Sequence, residues 1–323
     1  MAKMFEGFNW SKDEYQNFGL KVQLLKHNYH KSTLFNDKEL KDLLDNYPRE
    51  WLQCYTMGTD PEKHNDWTPV HVAERSGAEI LEALQKGRFW LNLINIDQYN
   101  QDYADMATDI YQRISSHCSR LKDIKPAFSA LLISSPGIQV YCHIDVDANM
   151  LWHLKGRKNA WVYPYDDKRF TPQTYIEEII AEERHENIPY EKWFDEHAVY
   201  AELQAGDAVS WPQHSPHRIE NVDVNISITT SYASKDSRRL IGVYGFNHYF
   251  LKKIGIKNRS INTQGIVPVI KEFFYFAFNR LGLLKKGERT STYISDLEID
   301  PKSDTGMSKR KQKTLTAFSY SKY

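Results

Sequence analysis

Cysteine is scarce in this 323-residue chain: Cys54, Cys118 and Cys142 stand far apart and form no CxxC pair. That usage excludes a disulfide framework and a zinc knuckle, and it points to a reducing, cytoplasmic setting. Net charge is missing as well. Lys plus Arg (42) offsets Asp plus Glu (42), so no global field draws the chain to nucleic acid or anionic lipid, and no nucleic-acid partner is expected. The N-terminal MAKMFEGFNWSKDEY lacks the apolar run of a signal peptide. Neither a Rossmann glycine pattern nor a P-loop is present, and no internal repeat stands out. One stretch, 266–284 (IVPVIKEFFYFAFNRLGLL), approaches the length of a membrane span, but Lys271, Glu272 and Arg280 interrupt it. A spanning helix needs about 20 predominantly apolar residues. A core or subunit-interface helix is therefore expected there, and no membrane span.

What the chain does have is apolar and aromatic material. Hydrophobic residues make up 41% and aromatics 13%, with 20 Tyr and 8 Trp. Such a chain builds a sizeable core and suits large sheets; its length fits one large β-rich domain or two smaller ones. Residues 1–35 read as irregular or short strand pieces, followed by a helix over 37–46 capped by Asn36 and stopped by Pro48. The run 87–97 (GRFWLNLINID) is apolar on both faces at strand period, as in a buried strand, and 98–120 carries helical spacing through Tyr103, Met106, Ile110 and Ile114.

From residue 126 the pattern becomes short strands separated by turn residues, which argues for a sandwich or barrel. A helical insertion at about 171–186 interrupts them, with Thr171 as a candidate cap, Pro172 in the first turn and an Ile176, Ile179, Ile180 stripe. The segment 236–284 is read as helical and as a candidate dimer interface. The remainder, 285–323, is a polar, partly basic tail with Lys309, Arg310, Lys311 and Lys313, expected to be solvated and flexible; its alternative use is an electrostatic handle for an acidic partner.

His143-Ile144-Asp145 lies near the end of one predicted strand. Residues i and i+2 of a strand share a face, so imidazole and carboxylate converge. With a distant histidine they would form a two-histidine, one-carboxylate facial triad, which leaves open positions on an octahedral Fe(II). Asp147 is a rival oxygen ligand on the same face. For the second histidine, GDAVSWPQHSPHRIEN (206–221) offers both His214 and His217. Each of these is, taken singly, more often an ordinary core or surface residue.

Taken together, the motifs resemble a family. The run His143-x-Asp145, Asn149, Lys155-Gly156-Arg157-Lys158, Tyr163-Pro164 and Gly206-Asp207 through Pro212 to His217-x-Ile219 resembles the JmjC-type, cupin-like Fe(II)/2-oxoglutarate oxygenases. The pattern is most similar to that of the asparaginyl hydroxylase that inhibits the hypoxia-inducible factor. The likeness covers about 110 of 323 residues in matching order. It implies a mainly β fold with flanking helices around a double-stranded β-helix (jelly-roll) core at 126–234, inside a catalytic domain over 1–235. It implies Fe(II) held by His143, Asp145 and His217, with 2-oxoglutarate as co-substrate. Lys158 then matches the lysine that pairs with the distal carboxylate, with Lys155 as rival, while Asn149 matches a position near metal and co-substrate. Two positions depart: Val140 stands where the asparaginyl hydroxylase has a threonine, the neighbouring Tyr141 replacing it only if the strand register shifted, and Ser231 falls close to where the family places an amide contact to the co-substrate. C-terminal helices that dimerise and shape a substrate groove are also implied, for 266–284.

Three functions remain open on this reading. The first is hydroxylation of a protein or peptide side chain, the second oxidation of a small molecule, the third a non-oxidative cupin that isomerises or senses a ligand. Trp90, Trp152, Trp161 and Trp211 fit a pocket wall in any of these, or plain core.

Overall fold

The structure is a computed structural model that describes residues 5–63, 66–287 and 291–318. It opens with helix α1 (Lys12–Asn17), closed by a capping box between Ser11 and Glu14, and strand β1 (Gln23–Lys26). Helix α2 (Asp37–Asn46) starts where expected: the Asn36 side chain accepts a hydrogen bond from the Glu39 amide, and Leu40, Leu43 and Leu44 are buried. Next come β2 (Leu52–Met57), β3 (Trp67–His71), α3 (Gly77–Lys86) and β4 (Phe89–Ile94), then α4 (Ile96–Tyr99) and α5 (Gln101–His117). On β4 the two apolar faces serve two layers. Phe89, Leu91 and Leu93 pack into the main core, whereas Trp90, Asn92 and Ile94 line a cavity.

Strands β5 (Lys125–Ser134), β6 (Gln139–His143), β7 (Ala148–Lys155) and β8 (Arg157–Val162) precede helix α6 (Gln173–Ile180). Strands β9 (Val199–Gln204), β10 (Asp207–Ser210), β11 (His217–Asn221) and β12 (Asn225–Ala233) complete the set. They wind between two antiparallel sheets, β10-β7-β12-β5 on one side and β6-β11-β8-β9 on the other. That order is the double-stranded β-helix expected for 126–234. The first sheet does not stop at β5. Pairing continues through β4, β2 and β3 into a ten-stranded sheet, so the N-terminal region extends one wall of the jelly roll.

Turn chemistry sets the register. Gly156 holds φ +78 between β7 and β8, and a Cβ there would lie 2.3 Å from the Val224 carbonyl oxygen. Both strain and space reserve this position for glycine. Gly156→Ala should lower the unfolding free energy by roughly 1–3 kcal/mol, read as a lower midpoint in urea titration with an unchanged slope.

Two details of the sequence reading change, at Thr171 and in the stretch after Lys285. Helix α6 begins at Gln173 with Pro172 at its cap position, and the buried Thr171 hydroxyl has no partner among the described residues, so Thr171 does not cap it. The segment after 235 forms α7 (Lys235–Phe246) and α8 (Ile266–Arg280), which pack on each other. The stretch after Lys285 is not a free tail. Strands β13 (Ser291–Ile299) and β14 (Met307–Phe318) form a hairpin, and β13 pairs in parallel with β3 through Leu297↔Val70 and Glu298↔His71. An open β3 edge offers unpaired backbone groups, which a polar segment can satisfy without an apolar pattern of its own. Ile299 is buried, and Arg310 reaches Glu298 at 3.6 Å; the side chains of Lys311 and Lys313 lie outside the described residues. Among the described residues no helix is long and apolar enough to cross a membrane.

Candidate metal centre

His143 ends β6 and His217 begins β11, and these strands pair with His143 directly opposite His217. Cross-strand neighbours sit about 4.5–5.5 Å apart, and the two rings lie with centroids 4.2 Å apart. Asp145 follows two residues after His143, and its Oδ2 is 3.6 Å from His217 Nε2. One ligand atom from each of His143, Asp145 and His217 lies within 4.8 Å of the others.

The chemistry of these donors suits a cation. His143 Nδ1 donates to the Tyr141 carbonyl (2.8 Å) and His217 Nδ1 to the Ser215 carbonyl (3.0 Å). Both tautomers are thereby set with the Nε2 lone pair free, the arrangement that metal-binding histidines use. Burial, and then the neighbouring His143, push the His217 imidazole well below its ordinary pKa, so it is neutral. The 3.6 Å approach of His217 to Asp145 is therefore no ion pair. It sets a lone pair beside a carboxylate, an arrangement that a cation between them relieves. Asn149 Nδ2 donates to Asp145 Oδ2 (3.0 Å) and Thr229 Oγ1 donates to Asn149 Oδ1 (2.7 Å), so the carboxylate is oriented from β7 and β12.

The rival ligands are elsewhere. His214, at φ +64, turns its Nε2 to the Val146 carbonyl at 3.0 Å. Asp147 lines the cavity outside the cluster, and burial followed by the Asp145 charge raises its carboxyl to about 6.

A cavity of about 450 Å³ runs from the triad between the two sheets. Lys158, on β8 opposite Asn221 of β11, lines it and is only 2% exposed. No carboxylate of the described residues pairs with its ammonium, and burial lowers its pKa to about 7. Lys155, by contrast, is at the surface, 2.9 Å from Asp37. A buried, unpaired ammonium is a place for an anion supplied from outside the chain. Asn149 and Ser231 also line the cavity and are register partners across β7 and β12. Val140 lines it too, whereas Tyr141 points the other way and donates to the Asp66 carbonyl (3.1 Å). The β6–β11 register does shift between His217 and Ile219, but it pairs Ile219 with Val140 and leaves the tyrosine facing away.

Sequence reasoning missed several wall residues: Gln53 and Tyr55 on β2, Asn92 on β4, and Thr229 beside Asn149. The polar residues within the apolar β4 run (Trp90-Leu-Asn92) were the available signal, because a mid-strand asparagine facing a core needs a reason.

The molecule is a double-stranded β-helix with a candidate two-histidine, one-carboxylate centre at the mouth of its barrel. No protein-family model matches the chain, and no curated protein matches it. Solved structures do. The X-ray structure of E. coli ycfD superposes with a TM-score of 0.51 at 16% identity, over 90% of this chain and 71% of that one. The crystal structure of Escherichia coli ribosomal oxygenase YcfD gives 0.51 at 15% identity, over 89% and 70%. At that identity the likeness is one of fold.

Proposed function

We propose that this chain is an Fe(II)- and 2-oxoglutarate-dependent oxygenase that hydroxylates a side chain of a protein or peptide. The carrying observation is the placement, in one cavity, of the His143–Asp145–His217 set and of Lys158, whose ammonium has no carboxylate partner among the described residues. The fold shared with a ribosomal oxygenase supports the same reading.

His143, Asp145 and His217 would hold the iron, and Lys158 would pair with the distal carboxylate of 2-oxoglutarate. Once bound, this pair supplies oxidative decarboxylation coupled to insertion of an oxygen atom from O2 into a C–H bond. The chain's own part is positional. Tyr141 and Ser215 carbonyls fix the two imidazoles, Asn149 aims the Asp145 carboxylate, and Thr229 fixes Asn149. Leu132, Val140, Leu151 and Ile219 wall the barrel interior and keep water from the reacting groups.

Anaerobic titration tests this. A weak visible charge-transfer band should appear only with Fe(II) and 2-oxoglutarate together. Metal binding without that band would leave the non-oxidative cupin reading in its place.

The chain's setting and assembly follow the same proposal. Free, buried Cys54, Cys118 and Cys142 fit a reducing cytoplasm. Helix α8 buries only Pro268, Lys271 and Tyr275 and leaves Ile266 (70%) and Phe273 (66%) exposed, beside Ile270 and Phe274. So large an uncharged stripe suits a second copy of the chain. Phe273→Glu should convert a dimer to a monomer in sedimentation; equal masses for parent and variant would refute it.

A further inference from the structure

On the triad's side, away from Lys158, two parts of the chain that are distant in sequence wall the cavity. One is the insertion. Ile180 ends α6, and Asn187 bridges His143 on the outer edge of β6, where the Ile144 amide donates to the Glu186 carbonyl (3.1 Å). The other is C-terminal and supplies Ile241 of α7, Tyr275 of α8 and Lys286. On the β8–β11 pair, Lys158 stands opposite Asn221 and Val162 opposite His217. Four residues of strand, roughly 13 Å, therefore separate this end from the lysine.

Acids of the insertion meet basic residues of the C-terminal part in four places. Glu177 lies 2.7 Å from Arg259, Glu178 3.2 Å from Lys252, Glu182 2.6 Å from Lys286 and Glu183 3.0 Å from His248. These contacts are not equivalent. The Glu177 and Arg259 side chains are 0% and 7% exposed, those of Glu182 and Lys286 22% and 35%. Solvent and salt screen the second pair and barely reach the first. The base of the insertion is thus fixed, and its tip is held weakly. The tip is also strained: Glu182 holds φ +61, which few residues other than glycine adopt. The Gly287 amide donates to the Ala181 carbonyl (3.0 Å), and a Cβ on Gly287 would lie 2.3 Å from the Glu182 carbonyl oxygen. Residues 285–287 therefore lie as a strap across the strained peptide. Strain of this kind persists only where the surroundings impose it, and it collects at clamps and switches.

We propose that the Glu182–Lys286 pair is a latch: the strap 285–287 lifts from Ala181 and Glu182 to open the triad end of the cavity. Opening breaks one screened ion pair and one backbone hydrogen bond, and it releases the strain at Glu182. The buried apolar contacts of α6 through Ile176, Ile179 and Ile180 stay in place. In naming what enters, a side chain of a protein or peptide, the proposal rests on the oxygenase reading; the latch itself does not.

The test times the release of Co(II) from the loaded full chain into excess EDTA. Lys286→Met should speed release about three- to fivefold, the worth of a part-exposed ion pair. Uptake should quicken by the same factor, so the equilibrium affinity stays unchanged. A gate alters both rates alike, whereas damage to the centre alters the affinity. Gly287→Ala should act in the same direction with no change of charge. High salt should speed release from the parent and leave Lys286→Met where it is. Lys31→Met, which breaks a surface pair with Glu6 elsewhere, should change neither rate. Hydrogen exchange at the Gly287 amide reads the same motion without metal and should quicken by a similar factor in Lys286→Met. Equal release rates in parent and Lys286→Met, or faster release matched by weaker affinity, overturns the latch. If Co(II) does not bind at all, the metal centre fails, and the Gly287 amide decides the latch by itself: equal exchange in parent and variant overturns it.

Discussion

His217→Ala should reduce ferrous-ion affinity by more than about 100-fold. Loss of a residue that merely orients a ligand already costs 10–100-fold, and His217 is one of only three donors in the cluster. His214→Ala, three residues earlier, should leave affinity within about threefold, because its Nε2 is committed to the Val146 carbonyl. The same contrast holds for Asp145→Ala against Asp147→Ala. Anaerobic Fe(II) titration, or Co(II) titration in air, reads all four variants. Equal losses for His214 and His217 would mean that the register of β11 does not define the centre.

Lys158→Met should weaken 2-oxoglutarate binding by about two to four orders of magnitude while leaving metal affinity unchanged. Removing one partner of a buried charge pair costs roughly 3–5 kcal/mol. The same substitution should raise the unfolding midpoint of the free protein, because it removes an ammonium that is buried without a partner in the absence of co-substrate. Opposite signs for ligand affinity and intrinsic stability distinguish a binding lysine from a structural one. The pH dependence follows. Burial lowers the free lysine to about 7, and a bound carboxylate favours its charged form. Below about 7 the ammonium is already present. Above it, binding must take up a proton, so affinity should fall by up to about tenfold per pH unit. Isothermal titration in two buffers of different ionisation enthalpy would show that proton directly; no uptake at pH 8 would contradict the assignment.

Much of this centre was legible in the sequence because it is local. His143-x-Asp145 needs only the two-residue period of a strand, whereas His217 was told from His214 by the family resemblance, in which the spacing from Pro212 marks the ligand. Lys158 could be told from Lys155 only by the family pattern. In space the difference is burial: one lies inside the barrel and the other at the surface beside Asp37. What stayed hidden was non-local. Nothing near residues 52–57 announces that they extend the jelly-roll wall, since their partners come from β4 and β3. The hairpin at 291–318 was equally obscure, because a polar strand held by backbone pairing to an edge carries little hydrophobic signal. Val140 is the residue where pattern and structure agree on a departure. It faces the cavity, and no hydroxyl replaces it from Tyr141.

The parallel docking of β13 on β3 also bears on synthesis. Strand β3 is made 227 residues before the segment that covers it, the separation of Leu297 from Val70. While a ribosome makes the intervening chain, that edge has no cover from β13, and its free amides can recruit a neighbouring nascent chain. A ribosome-bound form arrested before residue 291 should therefore depend on holdase chaperones far more than one arrested after the hairpin has emerged.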